Sequence, residues 1–593
     1  MKRFFSMCIV SLILASALWT EGRTDSSTAG SARNSTDEAG NQRNRGDMAP
    51  DFQGEGRMFG GGMMQGGAGT APVNTSSSNV STRSIIDDRS DNVESVTFKR
   101  IVSVDVGATT SDADGKEVAV SFTENGLEII SLLTEPVKVV LSGSMKGTIS
   151  IERSEGDIAL VLNNLTVIAA DGPALVSNST HKTYVVLEKG SKNILADSKE
   201  RDVNAKKGAV YSKGSLIFSG GGSLSVDASY KNGIYSDDYI SVKSGTIAVF
   251  VSARDAVRSI NGFIMSGGNL SITGTGSVTD EESKGIKVDG EENKNRAGEG
   301  FIVISGGTIN ISTVGKAVTA AWEKEEDAET DTTSDDPNSY VKITGGTVTI
   351  KTTGKPYEYE SEEGVTVSCS PEGIEAKTDL IISGGTIKVE TADDCLNAGI
   401  SIQISGGSLE VKSSGNDAMD SNGALTISGG IINAQGGRSP ETAFDSDMYP
   451  FTITGGTIFG TGGTNMSYPL DSENSQNTLI VFSTLDNGKE LRILDSNNKE
   501  IFSADIASWT GSAVISSPAF QKGQTYTLYS GDTKITSFTI ENSTTTIGQS
   551  TEQGFGGRGG FPGGEMGTPP ADENFKGGKR GMAPPDGSNP FQK

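Results

Sequence analysis

Ser383-Gly384-Gly385-Thr386-Ile387-Lys388-Val389 is a paired-glycine corner followed by a short alternating stretch. The phrase returns at Ser266-Gly267-Gly268, Ser305-Gly306-Gly307, Thr344-Gly345-Gly346, Ser405-Gly406-Gly407, Ser428-Gly429-Gly430 and Thr454-Gly455-Gly456, with weaker copies at Gly221-Gly222 and Ser244-Gly245. Subtracting the numbers of successive final glycines gives steps of about 23, 23, 39, 39, 39, 22, 23 and 26. A base period near 22 to 23 with three enlarged members is a repeat architecture.

Each period holds three apolar stretches. One precedes the corner, as in Leu380-Ile381-Ile382, and one follows it, as in Thr386-Ile387-Lys388-Val389. The third comes later, as in Gly373-Ile374-Glu375-Ala376, Cys395-Leu396-Asn397-Ala398 and Ala418-Met419-Asp420-Ser421. Within a stretch, alternation turns one side chain inward and the next outward. Three short strands per turn predict a parallel β-helix, with equivalent Ile, Leu and Val stacked about 4.8 Å apart in apolar columns. The corner glycine is expected at φ above zero, which a residue with a Cβ reaches only at a cost. A calcium-binding nonapeptide roll is excluded, because the corners lack its third glycine and its aspartate.

Stacked repeats escape the usual domain-size limit, so 593 residues need not mean several domains. Residues 1–20 read as a secretory signal: Lys2 and Arg3, an apolar run from Phe4 to Leu18, and the small residues Ala15-Ser16-Ala17. The mature chain is expected to be secreted or held at the cell surface, with no second apolar stretch long enough to span a bilayer. Residues 21–95, rich in Gly, Ser, Thr, Asn and Met, read as a disordered linker; 96–465 as the β-helix; 466–547 as a small antiparallel β-unit; and 548–593 as a Gly/Pro-rich tail. A net charge of −25 argues against nucleic acid and for metal cations or uncharged polymers as partners. Cys369 and Cys395 lie roughly one coil apart, so either a disulfide or two buried thiols is compatible with the spacing. His181 has no Ser or Cys partner arrangement around it and is expected to be structural.

The third stretch carries the outward residues of interest. Read one per coil they are Tyr235, Arg258, Lys287, Thr319, Glu375, Asn397, Asp420 and Asp445. Just before that stretch a second column reads Glu372, Asp394 and Asp417, and Asp393 and Asp447 add two more carboxylates. Two carboxylates one coil apart repel by about 1 kcal/mol in water and roughly 3 to 4 at an effective dielectric of 20. A divalent cation reverses that cost. Calcium, which takes six to eight oxygens in loose geometry, is the expected ion; the alternative is a solvated acidic face. Two insertions, Ala321 to Tyr340 and Gly354 to Pro371, flank this stretch and carry Trp322, Tyr357 and Tyr359, whose rings could stack on sugars, with Arg258 and Lys287 as further sugar contacts.

An ordered series of motifs then gives a family resemblance: Asp171-Gly172-Pro173-Ala174-Leu175, Glu188-Lys189-Gly190-Ser191-Lys192-Asn193, Asn232-Gly233-Ile234-Tyr235-Ser236-Asp237-Asp238, Glu372-Gly373-Ile374-Glu375-Ala376, Asp417-Ala418-Met419-Asp420-Ser421-Asn422-Gly423, and Ser516-Ser517-Pro518-Ala519-Phe520-Gln521-Lys522-Gly523-Gln524-Thr525-Tyr526. The chain from about Val96 to Ile547 resembles the bacterial secreted carbohydrate-binding domain built on a pectate-lyase-like right-handed parallel β-helix. The resemblance implies binding of plant-type polysaccharide, including acidic pectic chains such as polygalacturonate, with calcium as a bridge. The acidic stretch Glu323 to Asp336 departs from the pattern and would repel a polyuronate without such an ion. The leading expectation is therefore a monomeric, noncatalytic polysaccharide-binding protein. A polysaccharide lyase with Arg258 or Lys287 as base, and a structural or adhesin-like β-helix, are the competing readings.

Overall fold

Alternation decides which side chains enter the interior. In Thr386–Thr391 the residues Ile387, Val389 and Thr391 are buried while Thr386 is exposed. The computed structural model describes residues 91–549 except 200–207, 277–282, 291–299, 322–338, 361–365, 439, 448, 465–466, 470–474, 486–487 and 507–509. The expected signal, most of the linker, most of the tail and Trp322 lie outside the described residues.

Strands of successive coils pair in parallel and form three ladders, an all-β, β-helix-like arrangement. One ladder holds the strands before the corner, among them Tyr239–Val242, Gly262–Met265, Phe301–Ile304, Asp379–Ile382 and Ser401–Ile404. The second holds those after it, such as Thr347–Thr352, Thr386–Thr391 and Ser408–Ser413. The third runs from Gly126–Ser131 to Met419–Ser421. Leu224, Ile247, Leu270, Ile309, Val348, Ile387, Leu409, Ile432 and Ile458 are successive register partners, and none is more than 2% exposed. Each such side chain contributes roughly 1.5 to 3 kcal/mol on leaving water, so the column is a principal source of stability.

The two corner glycines do different jobs. Gly385 sits at φ 90°, the left-handed region expected from the sequence. Gly384 is needed for closeness instead: a Cβ there would lie 2.4 Å from the Thr344 carbonyl oxygen of the preceding coil.

Strands before the corner read as unbroken apolar runs because parts of their outer face are covered too. Ala159, Tyr184 and Ile217 pack under Val93, Val96 and Phe98. Further along, Ile264 and Val303 pack with Phe301 and Tyr340, whose rings stack at 5.9 Å. Residues 91–95, which the sequence places in the linker, are thus built into the body. Asp91 is 2% exposed and accepts hydrogen bonds from Lys182 Nζ at 2.7 Å and Tyr239 Oη at 2.6 Å. Asn92 caps a 3-10 turn at Val93–Ser95.

Past Thr457–Gly462 the pairing turns antiparallel. Thr510–Ser516 pairs with that strand and with Thr478–Leu485. A four-stranded antiparallel sheet, Glu500–Asp505, Glu490–Leu494, Thr525–Ser530 and Thr533–Thr539, encloses a core that includes Leu491, Ile493, Tyr526 and Leu528. Cys369 and Cys395 are both buried and are not joined in a disulfide. Among the described residues no helix is long and apolar enough to cross a membrane.

Candidate functional site

In the third ladder Tyr235, Arg258, Lys287, Thr319, Glu375, Asn397 and Asp420 are register partners in that order, and Asp445 bridges to Asp420. The strands carrying them are only three residues long from Val257–Ser259 onward, which leaves one outward residue per coil flanked by two inward ones.

The first part of this column is charge-balanced. Arg258 donates from Nε to Asp289 Oδ2 at 2.5 Å and pairs through Nη1 with Asp255 at 3.4 Å; Lys287 Nζ lies 2.8 Å from Asp289 Oδ1. Tyr235 lies beneath the guanidinium at 5.9 Å and stacks on Tyr211 at 6.0 Å. Burial weakens the charge on Arg258 and Lys287, but Asp289 and Asp255 outweigh it, and both pKa values end above their ordinary ranges. Asp289 is held below its usual range: burial opposes ionisation, and Lys287 and Arg258 overcome it. Both cations, expected as open sugar contacts, are mostly enclosed and satisfied within the protein.

The second part is acidic, and most of it is buried. Glu372, Glu375, Asp393, Asp394, Asn397 and Asp417 are each no more than 7% exposed, whereas Asp420 and Asp445 are half-buried. The expected open acidic face is therefore a largely enclosed cluster. Lys316 Nζ reaches Glu375 at 2.8 Å and Glu372 at 3.5 Å, and Lys377 Nζ reaches Glu375 at 2.9 Å. Thr319 Oγ1 also donates to Glu375. Burial opposes ionisation of Glu375, but Lys316 and Lys377 hold its carboxyl well below the usual range.

Lys316 compensates Glu372 only in part, and among the described residues no lysine or arginine pairs with Asp393, Asp394 or Asp417 on the coils that follow. Burial lifts Glu372 to about 7 despite Lys316, with Glu375 and Asp393 adding to the rise. Its Oε2 is buried without a hydrogen-bond partner. Burial, then the neighbouring Asp420 and Asp393, push Asp394 well above the carboxylate range; burial and then Asp445 do the same for Asp417. Asn397 Nδ2 donates to Asp394 Oδ2 at 3.2 Å and Asp420 Oδ2 at 3.3 Å, tying two carboxylates that otherwise repel. Asp393 accepts from Ser370 Oγ at 2.8 Å and Asn416 Nδ2 at 2.6 Å. Exposed Asp447, at φ 52°, donates its backbone N–H to Asp445. Among the described residues no three carboxylate, Cys or His groups converge as a ready-made metal cage.

The column before the third strand also holds the coils together. Asp394 Oδ1 accepts the Asp417 N–H at 3.0 Å, and Asp417 Oδ1 accepts the Thr442 N–H at 2.5 Å. Asn232 does the same for Asp255 N–H at 3.1 Å with a neutral amide. The hydrogen bond needs only an oxygen, so the negative charge at Asp394 and Asp417 is extra to the structural role.

Tyr357 and Tyr359 stand two residues apart on Tyr357–Glu360, the first strand of an antiparallel hairpin with Thr366–Cys369. The hairpin runs into Ser370, whose hydroxyl contacts both Glu372 and Asp393. Sequence reasoning missed Lys316, Asp255 and Asp289. Lys316 occupies the slot of Glu372 one coil earlier, and Asp255 the slot of Asn232 one coil later, so a complete reading of that column finds both.

Residues 128–418 match the family described as carbohydrate-binding domain-containing protein. The matched stretch contains Arg258, Lys287 and the acidic cluster through Asp417. No curated protein matches the chain. A solved structure described as the polysaccharide lyase-like protein from C. thermocellum, a gadolinium derivative, is 19% identical, covers 51% of this chain and 96% of its own, and superposes with a TM-score of 0.34. The family match, over just under half of the chain, points to carbohydrate binding.

Proposed function

We propose that the protein is an exported, noncatalytic binder of acidic, pectin-like polysaccharide, and that calcium joins the acidic part of the third ladder to the uronate carboxylates. The observation that carries this reading is the concentration of carboxylates around Asp394: Asp393, Asp394 and Asp417 are buried on adjacent coils with no lysine or arginine partner among the described residues, and Glu372 Oε2 is buried without a hydrogen-bond partner. Such groups are costly unless a cation or a proton meets them.

The donor set suits calcium, because every candidate ligand is a hard oxygen. Asp394, Asp417, Asp420 and Asp445 would hold the ion, with Asn397 turning its amide to present Oδ1 where Nδ2 now points. Bound calcium would supply a positive charge that a uronate carboxylate can share. Glu372, Asp393, Glu375 and Asp447 would support the ligands from either side. Tyr357 and Tyr359, on a hairpin rooted beside Asp393, would supply sugar-stacking surface, and Trp322 a further ring. The right-handed path of parallel crossovers is the hand we assign to the coil.

Titration calorimetry with polygalacturonate tests the reading. Calcium should tighten binding at least about 30-fold, roughly 2 kcal/mol, and the increment should vanish in Asp417→Asn/Asp420→Asn. Affinity that ignores calcium sinks the bridge. Unsaturated products absorbing in the ultraviolet would instead reveal a lyase.

A further inference from the structure

On another face of the coil, the docked N-terminal segment and the strands before the corner enclose a cleft of about 620 Å³, within the ordinary range for small-molecule sites. One wall is the segment Asp91 to Ser95, fixed by the contacts of Asp91 to Lys182 and Tyr239. The other is the outer face of the sheet, with Lys138, Val186, Ser219 and Lys243.

Three features point to a ligand. Lys138 and Lys243 have no carboxylate partner among the described residues; Lys138 rests on the Phe98 ring at 4.4 Å. Of the two carboxylates lining the same cleft, Asp91 is neutralised by Lys182 and Glu94 is exposed, so in a chain of net charge −25 the two ammonium groups still leave a local surface that favours an anion. The hydroxyl of Ser219, a residue only 7% exposed, is buried at the cleft without a hydrogen-bond partner. Finally, the cleft is elongated. Val140, Val161, Val186 and Ser219 are successive register partners along it; Lys138 stands two residues before Val140, and Lys243, two residues beyond Ser241, continues the row past Ser219. The lysines are therefore about four strand spacings, or roughly 19 Å, apart along the coil.

We infer that this cleft is a second, calcium-independent site for a short anionic oligosaccharide, of a length to set a carboxylate near each lysine. The two faces then recognise acid sugars by opposite means, one through a cation it must recruit and one through cations it carries. The choice of sugar rests on the polysaccharide reading above; the calcium ladder plays no part in it.

The test is calorimetry of the full chain with tetragalacturonate in excess EDTA. Saturable binding should weaken as salt is raised, because the attraction is between exposed charges. Lys138→Gln and Lys243→Gln should each cut affinity roughly five- to tenfold, as expected for single charged contacts. Glu94→Gln, which removes a carboxylate from the strap, should tighten binding about twofold. Ser219→Ala should lower affinity without lowering the melting temperature, since its hydroxyl has no partner to lose. Absence of binding in EDTA by folded protein overturns the proposal, and so does full affinity in the Lys138→Gln/Lys243→Gln double variant or equal binding of neutral cellotetraose. If calcium fails to tighten polygalacturonate binding while tetragalacturonate binds in EDTA, the ladder reading falls and the cleft stands; the reverse pattern removes the cleft alone.

Discussion

Arg258 and Asp420 occupy the same outward position on the same kind of three-residue strand, one two places before Thr319 and the other two places after Glu375, yet their surroundings are opposites. Around Arg258, two cations meet Asp255 and Asp289, and every charge has a counter-charge inside the protein. Around Asp394 and Asp417, beside Asp420, carboxylates follow one another on adjacent coils, and Lys316 and Lys377 reach only Glu372 and Glu375. The scaffold can evidently close such a network, so leaving the other open is a property of its residues and not of the fold. An open network stores repulsion that a bound cation can release.

The contrast is most vulnerable at its closed end. Arg258→Met should cost about 3 kcal/mol, because Asp289 is left buried with less compensation; denaturant unfolding measures it, and an unchanged midpoint would mean the network is not closed at all. A pH series probes the open end. Glu372 is expected near 4.5 when unfolded and lies at about 7 in the fold. Its stabilising contribution is complete below pH about 4.5 and is lost as pH rises through 7, at roughly 1.4 kcal/mol for each pH unit between the two values, or about 3 kcal/mol in all. Asp394 and Asp417 act in the same direction. Glu375 and Asp289 act oppositely, contributing above the ordinary carboxylate range and losing their contribution as pH falls through their lowered values. Unfolding in EDTA should therefore show stability falling from about pH 5 to about pH 8, with calcium removing the fall; a flat profile contradicts the open network.

The smallest effect expected separates structure from charge. Asp394→Asn keeps an oxygen for the Asp417 N–H, as Asn232 does for Asp255, and removes one repelling carboxylate. It should raise the stability of calcium-free protein by about 1 kcal/mol while weakening the response to calcium. Destabilisation instead would show that Asp394 is ionised and satisfied in the fold.

Much of this was legible in the chain. The Ser-Gly-Gly period locates the strands, and one-per-coil counting places Tyr235 through Asp445 in one column, because parallel register carries equivalent residues into contact. Burial was not legible. Exposure of an outward residue depends on what lies over it, and a hairpin such as Tyr357–Glu360 with Thr366–Cys369 follows no period. The same blindness hid the docking of Asp91, whose partners Lys182 and Tyr239 are remote in sequence. Counter-ions were missed for a simpler reason: Lys316 stands in the acidic column's own slot, but at a coil where the carboxylates have not yet begun.

Close nesting at the corner also governs where the chain can lengthen. With Gly384 against the Thr344 carbonyl and Gly385 turned to φ 90°, successive corners pack too tightly to admit an extra residue. Length variation is therefore excluded from that edge and channelled to the flanks of the third strand, where the enlarged coils carry their additional residues around Ile286–Val288, after Val318–Ala320 and before Ile374–Ala376. The glycine column acts as a fixed spine against which the opposite edge is free to diversify, so new loops, and with them new specificities, can be added beside the charged face without disturbing the register that builds it.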